Sequence, residues 1–93
     1  MKTKPAQSGS GKKSERYQVV VFNSDEMSFA YVIESFQSIL GYELTQAANC
    51  ANLIHNRGEY VVKSYAELSH AEAAFDMLCE FGFRCDIIDS KEK

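Results

Sequence analysis

Hydrophobic and polar residues alternate along the chain with two different periods. Residues 17–22 are mostly β-branched or aromatic, which predicts a strand, and the short polar side chains of Asn23-Ser24-Asp25 end it. Apolar residues then recur at three- and four-residue steps, which is typical of one face of a helix. These residues, in a helix that we expect to end at Gly41, are Phe29, Val32, Ile33, Phe36, Ile39 and Leu40.

The same reasoning divides the rest of the chain into a helix, a strand, a helix and a strand. The second helix has its apolar face at Leu44, Ala47, Ala48, Ala51 and Ile54, and Asn56-Arg57-Gly58 ends it. Glu59 to Tyr65 reads as a strand, and Ser64-Tyr65-Ala66-Glu67 fits a capping box that opens a third helix. That helix, with Leu68, Ala71, Phe75 and Leu78 on one face, ends at Gly82, and Phe83 to Ile88 is the last predicted strand.

The predicted order is therefore β-α-α-β-α-β. Three strands bury their apolar face when helices cover one side, so we expect an α+β fold. Its architecture would be a two-layer sandwich of three helices on a three-stranded, mainly antiparallel sheet. Residues 1–16 contain the single proline and a run of glycine, serine and lysine without apolar periodicity, which predicts a flexible basic tail. Residues 17–93 form the predicted folded domain.

Composition and charge narrow the possible partners. A chain of 93 residues with 45% hydrophobic residues can fold as one domain, but it is small for an enzyme with a deep active site. Residues 1–16 carry a net charge of +4 and residues 17–93 a net charge of −7. The domain should repel nucleic acid and suit a cationic partner. The sequence has no apolar run of about 20 residues and no signal peptide, so we expect a cytoplasmic protein without a membrane partner.

The three cysteines, Cys50, Cys79 and Cys85, do not indicate a metal or disulfide framework. Their number is odd, they form no C-x-x-C pair, and no histidine lies at zinc spacing. We therefore expect reduced, mostly buried thiols and no metal or cofactor. One possible function is a small enzyme that uses Cys50 or Cys79 with a histidine, but the sequence places no thiol, base and orienting group together. The expectation is a protein without enzymatic activity.

Candidate binding residues cluster at the joints between elements. Asn23, Ser24 and Asp25 follow a buried strand, and His55 stands near the end of the second helix. Side-chain acceptors beside an apolar layer suit a small cationic group attached to a hydrophobic one. The simpler interpretation is that Asn23-Ser24-Asp25 are ordinary turn or capping residues and that His55 is a helix-end residue.

The order of elements and these joints resemble the ClpS family of adaptors for Clp ATP-dependent proteases. In that family the first strand ends in Asn-Asp-Asp, where this chain has Asn23-Ser24-Asp25, and the second helix ends in histidine followed by glycine, here His55 and Gly58. The resemblance implies capture of proteins by a free N-terminal hydrophobic residue and delivery to a Clp-family AAA+ unfoldase. It assigns the α-amino group to Asn23, Ser24, Asp25 and His55, with an uncharged hydroxyl where the family has an aspartate.

The resemblance also assigns a side-chain pocket and a docking surface. The pocket residues are Met27, Phe29, Val32, Ala51 and Ile54; methionine is common in the family at the positions of Phe29 and Ala51, so the preferred first residue is expected to differ. In the third helix Glu67 retains a docking glutamate, whereas Glu72 replaces a lysine. Ser24 and Glu72 keep an alternative open, namely a ClpS-like protein-binding module that has lost recognition of N-terminal residues.

Overall fold

The computed structural model describes residues 15–90 and confirms the predicted α+β fold. Six elements follow one another in the predicted order. They are β1 (Tyr17–Phe22), α1 (Phe29–Leu40), α2 (Leu44–Arg57), β2 (Glu59–Tyr65), α3 (Leu68–Glu80) and β3 (Arg84–Asp89).

The sheet has the strand order β2-β1-β3, and β1 pairs antiparallel with both neighbours. One irregularity lies between β1 and β2: Val19 pairs with Lys63, but Val20 pairs with Val61. Val62 is therefore the extra residue of a β-bulge. The bulge changes the alternation along β2, so that Val62 and Tyr65 both pack against the core although they are three positions apart in the sequence.

The core lies between the sheet and the helices. Val19 and Val21 on the central strand are almost fully inaccessible to solvent, as are Phe36 on α1 and Leu78 on α3. Phe36 stacks on Phe83, with 5.4 Å between the ring centroids. Such buried apolar side chains provide most of the folding free energy of a domain of this size, at about 1.5–3 kcal/mol for each large one.

Two helix ends determine where the chain turns toward the functional region. The hydroxyl of Ser28 accepts a hydrogen bond from the backbone N–H of Tyr31 and caps α1. At the end of α2, Gly58 has φ +88°, a left-handed conformation that favours glycine, and its N–H donates to the carbonyl of Ile54. The chain therefore leaves α2 sharply and enters β2 at Glu59.

The predicted capping box at Ser64–Glu67 is wrong. Ser64 and Tyr65 belong to β2, where they pair with Gln18 and Tyr17 of the central strand. Glu67 is the N-terminal cap residue of α3, and its side chain makes no capping hydrogen bond. Pairing with β1 satisfies backbone hydrogen-bonding groups of residues 64 and 65. These residues therefore extend the sheet and do not cap α3.

Three smaller expectations also differ from the structure. The last strand is Arg84–Asp89 rather than residues 83–88, because Phe83 is buried against the helices before the chain reaches the sheet. Leu68, expected on the core face of α3, is 44% exposed because it is the first residue of that helix. The thiols are free but not mostly buried: Cys50 is buried, Cys85 is half-buried and Cys79, in the last turn of α3, is exposed.

The flexible tail predicted for residues 1–16 lies outside the described residues except for Glu15 and Arg16. Arg16 forms an ion pair of 3.0 Å with Asp89, and its carbonyl accepts a hydrogen bond from the backbone N–H of Ser90. These contacts join residues 16 and 89–90 beside the end of the sheet. None of the helices within residues 15–90 has the length and apolar character that crossing a membrane requires.

Candidate functional site

A cavity of about 370 Å³ opens between the end of β1, the start of α1 and the last turns of α2. Its volume falls in the range of about 300–1,000 Å³ that is typical of small-ligand pockets. All nine residues that the family resemblance assigns to the α-amino group and the side-chain pocket line it. The polar ones are Asn23, Ser24, Asp25 and His55, and the apolar ones are Met27, Phe29, Val32, Ala51 and Ile54.

One backbone hydrogen bond brings the two polar joints together. The N–H of Asn23 donates to the carbonyl of Gly58 over 2.8 Å, which ties the residue after β1 to the residue after α2. His55 lies in the last turn of α2 and is therefore held at the same end of the cavity. Residues more than thirty positions apart in the sequence form one polar cluster through this bond.

Ser24 has a local structural role. Its hydroxyl accepts a hydrogen bond from the backbone N–H of Glu26 over 3.3 Å, and its carbonyl accepts one from the N–H of Met27. This is the side-chain turn that serine often forms after a strand. Ser24 does not cap α1, because Ser28 occupies that position. The simpler interpretation of the joint as a turn therefore holds for Ser24, whose second lone pair remains available.

The other polar side chains of the cluster are not engaged within the structure. Among residues 15–90, no hydrogen bond or ion pair involves the side chains of Asn23, Asp25 or His55. Each side chain lines the cavity, and Asp25 is the single carboxylate in its lining. Polar groups without an internal partner can accept hydrogen bonds from a ligand without first breaking any inside the protein.

The apolar part of the cavity has a buried floor and an exposed rim. Ala51 and Ile54, on neighbouring turns of α2, are 3% and 5% exposed. Phe29, the first residue of α1, is 46% exposed and stands at the opening. A ligand side chain that enters the cavity would remove the Phe29 ring from water as well as its own surface, and both changes favour binding.

Sequence reasoning missed four residues of the lining: Val21, Phe22, Asn52 and Phe83. Asn52 could have been predicted from the sequence, because it lies three residues before His55 and therefore shares its side of α2. Phe83 could not have been predicted, because it reaches the cavity from the far end of the chain. Its ring stacks on Tyr31 and Phe36, with centroid distances of 6.1 and 5.4 Å.

The two predicted docking residues lie away from the cavity lining. Glu67 precedes α3 and Glu72 lies in its second turn, and both are exposed. Among the described residues, neither side chain has a hydrogen bond or an ion pair. Both carboxylates are therefore available to an external partner. Within the same part of the chain, no group of three or more histidine, cysteine or acidic residues is arranged to hold a metal ion.

Comparison with known families identifies a match over residues 12–86, and the matching family is described as ATP-dependent Clp protease adaptor protein ClpS. Comparison with curated proteins finds no match to this chain. The family match spans all three helices and the sheet through Asp86, and includes the whole lining of the cavity. The resemblance inferred from the joints at Asn23 and His55 is therefore confirmed, and the chain belongs to the ClpS family of Clp protease adaptors.

Proposed function

We propose that the cavity binds the N-terminal residue of a protein substrate and that the chain delivers this substrate to a Clp-family AAA+ unfoldase. The observation that carries the proposal is the polar cluster at the mouth of an apolar cavity. A free α-amino group is a cation with three donors, and it needs several acceptors in a small volume. Asn23, Asp25 and His55 offer such acceptors, and no partner within residues 15–90 occupies them.

The first side chain of the substrate would enter the apolar part of the same cavity. At the floor of the cavity the side chain of Ala51 is small and leaves space for a ligand. At the rim the side chain of Phe29 is large and partly exposed. This combination favours a deep and narrow fit, with the ring of Phe29 covering the entering side chain. On this proposal the protein is a binding protein without catalytic activity, and we expect it in the cytoplasm.

The test compares peptides that begin with a bulky apolar residue and differ in the state of the amino group. N-acetylation removes the charge and two donors. Charge-assisted hydrogen bonds contribute about 1.5–3 kcal/mol, so we expect at least a tenfold loss of affinity in fluorescence anisotropy. A free peptide that begins with glycine controls for the apolar pocket and should also bind weakly. Equal binding of the free and the acetylated peptide would contradict the proposal.

A matched pair of variants places the effect in the cavity. Asn23→Ala removes an amide from the polar cluster but retains the backbone N–H that bonds Gly58. Asn49→Ala makes the same chemical change at an exposed position of α2 outside the cavity. We expect the first variant to weaken binding of the free peptide and the second to leave it unchanged.

Delivery needs its own test. An adaptor accelerates degradation of a substrate with a bulky apolar first residue by the Clp unfoldase and its peptidase. Degradation of the same substrate with an acetylated N-terminus should not be accelerated.

The second candidate function is a ClpS-like module that docks on the unfoldase without binding N-terminal residues. The uncharged Ser24, whose hydroxyl already accepts a hydrogen bond from Glu26, favours that alternative. Binding to the unfoldase without discrimination between free and acetylated peptides would support it.

A further inference from the structure

Two of the three cysteines are in contact although they belong to different elements. Cys79 lies in the last turn of α3 and Cys85 is the second residue of β3. Their sulfur atoms are 3.7 Å apart. A disulfide requires about 2.05 Å, so the sulfurs need to approach by roughly 1.7 Å, a movement within the range of side-chain rotation.

The turn between the two elements holds the thiols opposite each other. The N–H of Gly82 donates to the carbonyl of Cys79 over 3.0 Å, and the N–H of Phe83 donates to the carbonyl of Leu78 over 2.9 Å. On the other side, Cys85 pairs with Val21 of the central strand. Backbone hydrogen bonds on both sides therefore maintain the contact, which does not depend on two mobile surface side chains meeting by chance.

The two thiols have unequal surroundings. Cys79 is exposed and can meet a small oxidant in solution, whereas Cys85 is half-buried. Burial, together with the hydrogen bond to Cys79, raises the pKa of the Cys85 thiol to about 12. A thiol that keeps its proton is a poor first nucleophile toward peroxide. The geometry thus assigns the first attack to Cys79 and the second step to Cys85.

We propose that Cys79 and Cys85 are a modification site that forms a reversible intramolecular disulfide when the protein meets a peroxide. The Cys79 thiolate attacks one peroxide oxygen, the O–O bond breaks, and the departing hydroxide takes a proton to become water. The resulting sulfenic acid is then attacked by the Cys85 sulfur. The S–O bond breaks, the S–S bond forms, and the Cys85 proton leaves with the second water. The two thiols lose two electrons, which the peroxide gains, and a dithiol reductant reverses the change.

The site lies beside the candidate cavity. The disulfide would close a short loop over residues 79–85, and this loop contains Phe83, which lines the cavity and stacks on Tyr31 and Phe36. Oxidation therefore restrains the segment that forms one wall of the cavity. The disulfide itself does not rest on the proposed function, because it requires no peptide to bind.

The experiment treats the full chain with hydrogen peroxide, alkylates the remaining thiols and digests the unreduced monomer with trypsin. Cleavage after Lys63, Arg84 and Lys91 separates the two cysteines into peptides 64–84 and 85–91. We expect these peptides to remain joined until a dithiol is added. In the intact protein, titratable thiols should fall from three to one. The Cys50→Ser variant should give the same joined peptides, and Cys79→Ser should not.

A second variant identifies the order of attack. In the Cys85→Ser variant, oxidation of Cys79 should end at the sulfenic acid, which dimedone traps. Circular dichroism is used to check that the variant is folded. The proposal is overturned by any of these results: no joined peptides in the wild-type monomer, a link from Cys79 to Cys50, or a Cys79 that peroxide leaves unmodified in Cys85→Ser. A disulfide found exclusively between two copies of the chain would also overturn it.

Discussion

The cavity and the exposed surface of α3 are built in opposite ways. The cavity combines residues from β1, α1, α2 and the segment before β3, and the bond between Asn23 and Gly58 holds its polar side together. The α3 surface consists of side chains on one helix, and Glu67 and Glu72 on it have no partner among residues 15–90. The cavity therefore exists only when several elements pack together, whereas the charges on the helix surface follow from the local sequence of one helix.

This difference predicts different responses to substitution. Binding in the cavity depends on short-range apolar fit and on hydrogen bonds from several acceptors to one ligand group, so single changes should alter affinity strongly. Docking through exposed carboxylates acts through screened charges that are each worth about 0–1 kcal/mol. Effects on the α3 surface should therefore be small and should decrease with ionic strength.

The largest effect is expected from filling the cavity with Ala51→Met. Ala51 is 3% exposed at the floor of the cavity, so a longer side chain there occupies space that a large ring would need. Overpacking costs about 1–3 kcal/mol, which predicts at least a fivefold loss of affinity for a peptide beginning with Trp relative to one beginning with Leu. A peptide array measures the ranking.

Ala73→Met provides the matched control for the cavity-filling variant. Ala73 is exposed on α3 and does not line the cavity, so the same substitution there should preserve the ranking of first residues. An identical ranking for the wild type and Ala51→Met would remove Ala51 from the binding site.

Ser24→Asp should strengthen binding of a free peptide by about five- to thirty-fold. The substitution introduces an ionic acceptor beside the α-amino group, and a charge-assisted hydrogen bond exceeds a neutral one by about 1–2 kcal/mol. Fluorescence anisotropy measures the gain, and the acetylated peptide should not share it. Ser38→Asp makes the same change at an exposed position of α1 outside the cavity and should have no effect. Unchanged affinity in a folded Ser24→Asp protein would refute this role for residue 24.

His55→Ala should weaken binding about fivefold at neutral pH, because it removes one neutral acceptor worth about 1 kcal/mol. Binding by the wild type should also be weaker in a buffer of about pH 5.5 than in one of about pH 7.5, because a protonated imidazole accepts no hydrogen bond and repels the ammonium. The His55→Ala variant should lose this acid dependence.

Calorimetry across that pH range measures both effects of the histidine substitution. His70→Ala, an exposed histidine on α3, is the matched control and should behave as the wild type. A wild-type affinity that stays level or rises toward acidic pH would leave His55 as a helix-end residue without contact to the ligand.

The smallest effect is expected on the docking surface. Glu72→Lys restores the charge that the family resemblance places at this position, and we expect two- to fivefold tighter binding to the Clp unfoldase at low salt, on the order of 1 kcal/mol or less. The gain should disappear as the ionic strength rises. Asp76→Lys changes the charge by the same amount one helical turn later. If both variants gain equally, the effect comes from net charge and not from residue 72.

Local sequence signals predicted most of the fold. Helix periodicity from Phe29 to Leu40 and from Leu44 to Ile54 agrees with α1 and α2, and glycines follow both helices where the chain adopts a left-handed conformation. β1 and β2 have the predicted bounds. These signals depend on residues within a few positions of one another, so a single sequence contains them.

The failures occurred where distant pairing competes with a local signal. The prediction of a capping box at Ser64 was wrong because residues 64 and 65 pair with the central strand and belong to the sheet. The bulge at Val62 changes which side chains of β2 face the core. The pattern of hydrophobic and polar residues in the sequence does not predict this bulge. Phe83 was expected in a strand but belongs to the core and the cavity wall.

The sequence by itself determined the order of the elements, the acidic character of the domain and the residue types available at the joints. The tertiary structure decided which of these residues meet. The hydrogen bond from Asn23 to Gly58, the position of Phe83 in the cavity wall and the contact between Cys79 and Cys85 each join different elements. Their physical reason is packing: strand register and close contact between the layers set the distances between side chains, and hydrophobic periodicity carries no information about them.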